Sequence, residues 1–304
     1  MKRVTALLLA LLLLAGCSPA PEPAAWYSFT DSTGATVTLP QKPKTVAVLF
    51  SSHGEVWTLA GGQIAVTVGE TLERGFAESA VLVDSGAGKT IDVEALLAAK
   101  PDFVIGSADI PAQVEACEAM RSAGIPAALF RVDTFDDYLT MLRICTDITG
   151  NEAAYDTYGA AVQTQIRELL AETEGRPSKT ILFIRSGSRA SAAKAKRAPE
   201  NFVCTMLQQL GAYNIADDAV VLLDGLSLEH ILVRQPDYIF VSTMGDEAAA
   251  QRYITDLFAD EGWRQLAAVE AGNWTFLPRE LFHFKPNARW AEAYRYLAEL
   301  LYEE

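Results

Sequence analysis

One fifteen-residue phrase occurs twice in this 304-residue chain. Residues 93–107 read VEALLAAKPDFVIGS and residues 228–242 read LEHILVRQPDYIFVS, with Glu, Leu, Pro, Asp and Ser at the same five places and apolar exchanges between them. Each copy opens on helical spacing, breaks at Pro-Asp and ends in a β-branched or aromatic run, so each reads as a helix feeding a buried strand. Proline ends the helix because it lacks an N–H and holds the residue before it extended. A unit of this kind cannot bury its apolar strand alone. Two copies point to two α/β halves built on one plan, each with a glutamate early in its helix, Glu94 and Glu229.

The rest of the chain fits that plan. Strand-length runs at 45–50, 64–69, 102–107 and 126–132 alternate with helix-like segments, a pattern that implies parallel βαβ units. Residues 151–174 contain no proline and repeat apolar residues at helical spacing until GRPSK breaks the run. The pattern then restarts with strands at 180–186, 238–242 and 274–278, interleaved with helices from Asn201, over 246–258 and over 287–302. The expected fold is α/β: two Rossmann-like lobes, 28–150 and 176–304, joined by a single long helix over 151–175, with a ligand cleft between the lobes.

MKR followed by VTALLLALLLLA is a charged segment before an apolar run too short to span a bilayer, and 1–16 reads as a signal peptide. Its end, Leu14-Ala15-Gly16-Cys17, resembles the lipobox of bacterial lipoproteins, which makes Cys17 the lipidated residue. The Pro/Ala-rich stretch through residue 27 reads as a flexible spacer. A formal charge of −14 argues against a nucleic-acid partner. Cys117, Cys145 and Cys204 lie in apolar helical contexts and read as free buried thiols, with a Cys117–Cys145 bridge left open.

In α/β lobes, ligands meet the carboxyl ends of the strands. That rule selects Ser51, Ser52 and His53 after the first strand, Ser107 and Asp109 after the third, and Arg131 and Asp133 after the fourth. In the second half it selects Arg185, Ser242, Thr243, and the stretch from Arg279 through His283 to Lys285. Residues 175–199 hold seven Arg/Lys and no Asp or Glu in an otherwise acidic chain. Cations beside the rings of Phe282-His283-Phe284 suit a conjugated anion. A Ser/His hydrolase is the alternative that SSHGE suggests, but no G-x-S-x-G elbow is present. A bare divalent ion fits poorly, because there are only three histidines and His230 adjoins Glu229.

Beyond this layout, the phrases VTLPQKPKTVAVL, NIADD and WRQLAAVEAGNWTFLP, with the doubled Glu-x-[Ile/Leu]-Leu-x-x-x-Pro-Asp unit, resemble the helical-hinge substrate-binding proteins of ABC importers. That family includes cobalamin-, haem- and ferric-siderophore-binding proteins. The resemblance implies an extracytoplasmic, lipid-anchored, monomeric binding protein and not an enzyme. Its ligand is a small-molecule metal chelate, first an anionic ferric siderophore, with haem or cobalamin as alternatives. Metal such as iron arrives in the ligand, so no resident cofactor or protein metal site is expected. The ligand contacts expected are Ser52, His53, Arg185, Arg279, His283 and Lys285. Glu94 and Glu229 dock on the two-fold ABC permease dimer, where paired charges give register and on-rate.

Overall fold

The structure, a computed structural model, describes residues 25–77, 79–84 and 90–302. The signal segment 1–16, Cys17 and the spacer through residue 24 lie outside the described residues. The expected spacer overlaps a hairpin at its end, β1 (Tyr27–Thr30) paired antiparallel with β2 (Thr36–Leu39). Among the described residues no helix is long and apolar enough to cross a membrane.

Two parallel sheets follow. The first contains β3 (Val46–Val48), β4 (Val66–Thr67), β5 (Val81–Leu82), β6 (Phe103–Ser107) and β7 (Ala127–Phe130) in the order β5-β4-β3-β6-β7. The second contains β8 (Thr180–Ser186), β9 (Ala193–Ala195), β10 (Tyr213–Asn214), β11 (Tyr238–Thr243) and β12 (Trp274–Phe276). Its order is β10-β8-β11-β12, with β9 antiparallel on β8. The path β4-β3-β6-β7 thus has the same plan as β10-β8-β11-β12, and the repeated phrase supplies the third strand of each.

The aspartate common to both copies of that phrase has a structural task in each half. The Asp102 carboxylate accepts the Lys44 and Thr45 N–H groups at 2.8 and 2.9 Å. Asp237 accepts the Thr180 N–H and hydroxyl at 2.7 and 2.8 Å. Each aspartate therefore fastens the start of the first strand, β3 or β8, to its central neighbour, satisfying donors that the ladder leaves open. The glutamate of each phrase stays exposed in the first turn of its helix, Val93–Ala98 or Leu228–Arg234.

A helix from Glu152 to Thr173 connects the sheets, with one π turn over Asp156–Ala160. There the Tyr138 hydroxyl donates to the Tyr158 carbonyl at 2.9 Å, and the bare Gly159 lets the helix close on Leu139, where a Cβ would sit 3.1 Å from a methyl. An inserted side-chain bond and close packing are recognised causes of such a bulge. Across the middle of the molecule one apolar cluster joins Phe103 and Phe135 to Phe183, Phe202, Phe240 and Trp290. Trp290 meets Phe135 edge-on at 6.1 Å and Phe202 at 5.6 Å, so both lobes share its core. Full burial of each such ring is worth about 1.5–3 kcal/mol, which restrains movement of one lobe against the other.

Strand ends are shorter than periodicity suggests: the run 45–50 is a strand only over Val46–Val48, and 64–69 only over Val66–Thr67. Their remaining apolar residues turn into loops and helix starts. After β12 the chain forms a helical turn over Arg279–Phe282 in place of the expected loop, because Leu281 and Phe282 are drawn into the core. The terminal helix begins at Trp290, after a 3-10 turn over Asn287–Arg289. All three described cysteines are free and buried. Cys117 packs with Leu96 and Met120 on one face of the first sheet and Cys145 with Phe103 on the other, so the sheet separates them.

Candidate ligand cleft between the lobes

Loops at the carboxyl ends of both sheets enclose a cleft of about 510 Å3. From the first lobe it is lined by Phe50, His53, Ser107, Asp109, Arg131 and Asp133; from the second by Arg185, Glu200, Asn201, Phe202, His283 and Lys285.

His53 occupies the first turn of the helix Ser51–Leu59, directly after β3. It is only 2% exposed and lies edge-on to Phe50 at 4.9 Å and to Phe130 at 6.2 Å. The Gly106 carbonyl bonds one ring nitrogen, while Nδ1 is buried with no partner among the described residues. Burial, reinforced by the Lys285 charge, pushes its pKa down to about 3. The ring is therefore neutral. His283 bonds the Thr243 carbonyl through Nδ1 at 2.9 Å, which places the proton there and leaves Nε2 as an acceptor. Burial, then the Arg279 charge, lowers it to about 4. Each lobe thus contributes one neutral imidazole to the cleft.

The cations differ in how they are satisfied. Arg131 pairs with Asp109 at 2.6 Å and lies 3.9 Å from Asp133. Lys285 reaches from the second lobe to Asp133 at 3.2 Å, with its ammonium 4.8 Å from the centre of the Phe202 ring. Arg185, at the end of β8, has no carboxylate partner among the described residues, and its Nε is buried without a hydrogen bond. Burial alone draws its pKa below the ordinary range, yet a guanidinium stays protonated at any physiological pH. The result is a partly desolvated positive charge facing the cleft.

Two other expected contacts sit elsewhere. Arg279 does not line the cleft: its Nη1 donates to the Gly245 carbonyl at 3.2 Å and its Nε approaches Glu247 at 3.8 Å. The convergence of cations on the cleft is therefore by Arg185 and Lys285, beside the paired Arg131. Ser52 is fully buried between the lobes, its hydroxyl accepting the Lys285 N–H at 3.4 Å and its carbonyl the Asn287 amide at 2.9 Å. No hydrogen bond joins Ser52 to the His53 ring among the described residues. The adjacency of SSHGE therefore does not form a nucleophile and base. Nor does any group of three His, Cys, Asp or Glu suited to an ion occur among the described residues.

Beside the cleft lies a polar cluster that no sequence motif marks. Glu55 accepts from Arg74 at 3.0 Å and from Asn287 at 2.8 Å, and Arg74 is held between the rings of Phe284 at 4.1 Å and Phe76 at 4.6 Å. It ties the stretch bearing His283 and Lys285 to the first lobe. In the sequence Glu55 offers only the signature of a first-turn carboxylate, and nothing local links it to Asn287.

The fold and cleft define a two-lobed binding protein, and the sequence profile of the family described as "Periplasmic binding protein" matches residues 39–281. The chain belongs to that family. Among solved structures, an ABC transporter substrate-binding protein from Listeria monocytogenes EGD-e aligns with a TM-score of 0.71 at 14% identity, covering 87% of this chain and 100% of that one. The apo periplasmic heme-binding protein RhuT from Roseiflexus sp. RS-1 gives 0.68 at 18%, covering 86% and 98%. Staphylococcus aureus SirA complexed with staphyloferrin B gives 0.67 at 17%, covering 91% and 97%. At these identities the likeness concerns the fold. No curated protein matches the sequence.

Proposed function

We propose that this chain is the extracytoplasmic, lipid-anchored substrate-binding protein of an ABC importer, and that it captures an anionic metal chelate, foremost a ferric siderophore. The observation that carries this reading is Arg185, a half-buried cation with a buried, unpartnered Nε, lining a cleft whose carboxylates Asp109, Asp133 and Glu200 are already engaged by Arg131, Lys285 and Arg197. An incoming anion relieves that desolvated charge. Titration of the purified full chain with anionic ferric chelates, followed by intrinsic fluorescence and thermal shift, tests the reading. Saturable binding of at least one is expected, and binding of none overturns it.

Haem is the second reading, favoured by the neutral His53 and His283 on facing walls, since neutral imidazole is the form that ligates a metal. A haem titration separates the two. An absorption spectrum of a two-histidine haem that changes in both single histidine variants supports haem.

Delivery is assigned to Glu94 and Glu229, which are exposed at the same place in the two repeats and outside the cleft. Replacing both with alanine is expected to abolish uptake by cells while leaving chelate affinity within about twofold, because rim charges act on association and register. Normal import by the double variant removes the docking assignment. The anchor is assigned to Cys17. Cys17→Ser is expected to move the protein out of the membrane fraction, and a variant that still pellets with membranes after a high-salt wash overturns it.

A further inference from the structure

Strand β9 sets a second cation opposite Arg185. It lies antiparallel on β8 with Lys194 directly opposite Arg185, flanked by the pairs Ile184–Ala195 and Ser186–Ala193. Residues directly opposed in this way point to the same face with Cβ atoms roughly 4.5–5.5 Å apart, and like charges so placed destabilise the pair. The face is fixed by the neighbours. Ile181 and Phe183, in step with Arg185 along β8, belong to the core shared between the lobes, whereas Ile184 and Ala195 pack in the separate core of the second lobe. Lys194 is half-buried and forms no ion pair or hydrogen bond with its ammonium among the described residues.

Among the described residues, neither charge forms an ion pair with a carboxylate. Residues 175–199 contain no Asp or Glu, and the next carboxylate in sequence, Glu200, is taken by the Arg197 side chain at 3.2 Å and its N–H at 3.3 Å. Asp133, across the cleft, is taken by Lys285. Two cations set opposite each other by strand register, neither with a carboxylate partner among the described residues and one of them lining the cleft, can be bridged by a shared external anion. The planar guanidinium fork grips two oxygens, and the ammonium adds a point charge.

We infer that Lys194 and Arg185 form a two-cation subsite for an oxyanion group of the ligand, a carboxylate or phosphate, and that Lys194 thereby selects oxyanion-bearing chelates over neutral ones. This rests on the cleft reading above for its biological meaning, but the subsite itself can be probed without iron. The thermal midpoint of the full chain is measured at low ionic strength with metal-free citrate and, separately, with inorganic phosphate, for the wild type, Lys194→Gln and Lys194→Arg. The wild type and Lys194→Arg are expected to be stabilised by one or both anions, and Lys194→Gln to lose at least half of that shift. Preference for citrate assigns a carboxylate; preference for phosphate assigns a phosphate. In parallel, ferric citrate and a neutral ferric trihydroxamate are titrated. Lys194→Gln is expected to weaken ferric citrate at least fivefold and to leave the neutral complex unchanged. Equal anion shifts in wild type and Lys194→Gln, or no shift in the wild type, overturn the subsite even if chelates bind. A lost shift in Lys194→Gln with no chelate bound by the wild type upholds the subsite and overturns the chelate reading instead.

Discussion

Arg185→Ala is expected to weaken binding of an anionic ferric chelate by at least about tenfold. A hydrogen bond between charged groups is worth about 1.5–3 kcal/mol, and 1.4 kcal/mol is a factor of ten in affinity. Arg185 is placed to realise that value because no carboxylate among the described residues pairs with it and its Nε has already lost water. The chain's net charge of −14 works against an anion at long range. At physiological salt, however, the Debye length is about 8 Å, so the groups lining the cleft outweigh remote carboxylates. Wild-type affinity should therefore fall as salt rises, and the slope should shrink in Arg185→Ala. Arg185→Lys is expected to fall between the two, since it keeps the charge and loses the fork. Isothermal titration at low and high salt checks this. An Arg185→Ala protein that binds as tightly as the wild type, with the same salt dependence, removes Arg185 from the ligand site.

The architecture is legible in the sequence wherever one element is dictated by its own residues. The doubled phrase yields a helix and a third strand in both halves because its spacing, Pro-Asp break and apolar run are local properties, and the strand-end rule points to His53, Arg185, His283 and Lys285, which do line the cleft. What could not be read was set by partners distant in the chain. Arg279 follows β12 and Arg185 stands next to last in β8, both near strand ends, yet Glu247 and the Gly245 carbonyl hold Arg279 away. Ser52 looks like a cleft hydroxyl, but the stretch from Lys285 to Asn287 covers it. Phe202 differs in that its helix start is local, Asn201 accepting the Val203 N–H at 2.9 Å, but its place in the cleft depends on the opposite lobe and has no signature beyond an N-cap. The role of Asp102 and Asp237 was hidden for the same reason: the phrase shows the aspartates, while the strand starts they fasten lie far off in sequence.

The two cleft histidines make stability depend on pH. In the unfolded chain a histidine titrates near 6.5, whereas in the fold burial holds His53 near 3 and His283 near 4. Both pKa values are depressed, so the unfolded state binds the extra protons as pH falls below about 6.5. Stability is fully present above that pH and is lost progressively on acidification towards the folded values. For His53, nearly inaccessible to water, the loss between pH 8 and pH 5 amounts to about 2 kcal/mol. His283 is partly open to solvent and adds a smaller loss of the same sign. Ordinary carboxylates titrate mostly below this window, while burial raises the Glu55 carboxyl and opposes the histidines in sign, so the comparison with a His53 variant isolates the histidine contribution. Urea unfolding of the full chain at both pH values is expected to show this loss. His53→Gln, which keeps a neutral amide near the Gly106 carbonyl, should reduce the difference by about half or more, whatever its effect on stability at pH 8. An undiminished pH dependence in that variant means that His53 is charged in the folded protein, and the neutral imidazole facing the cleft is then lost with it.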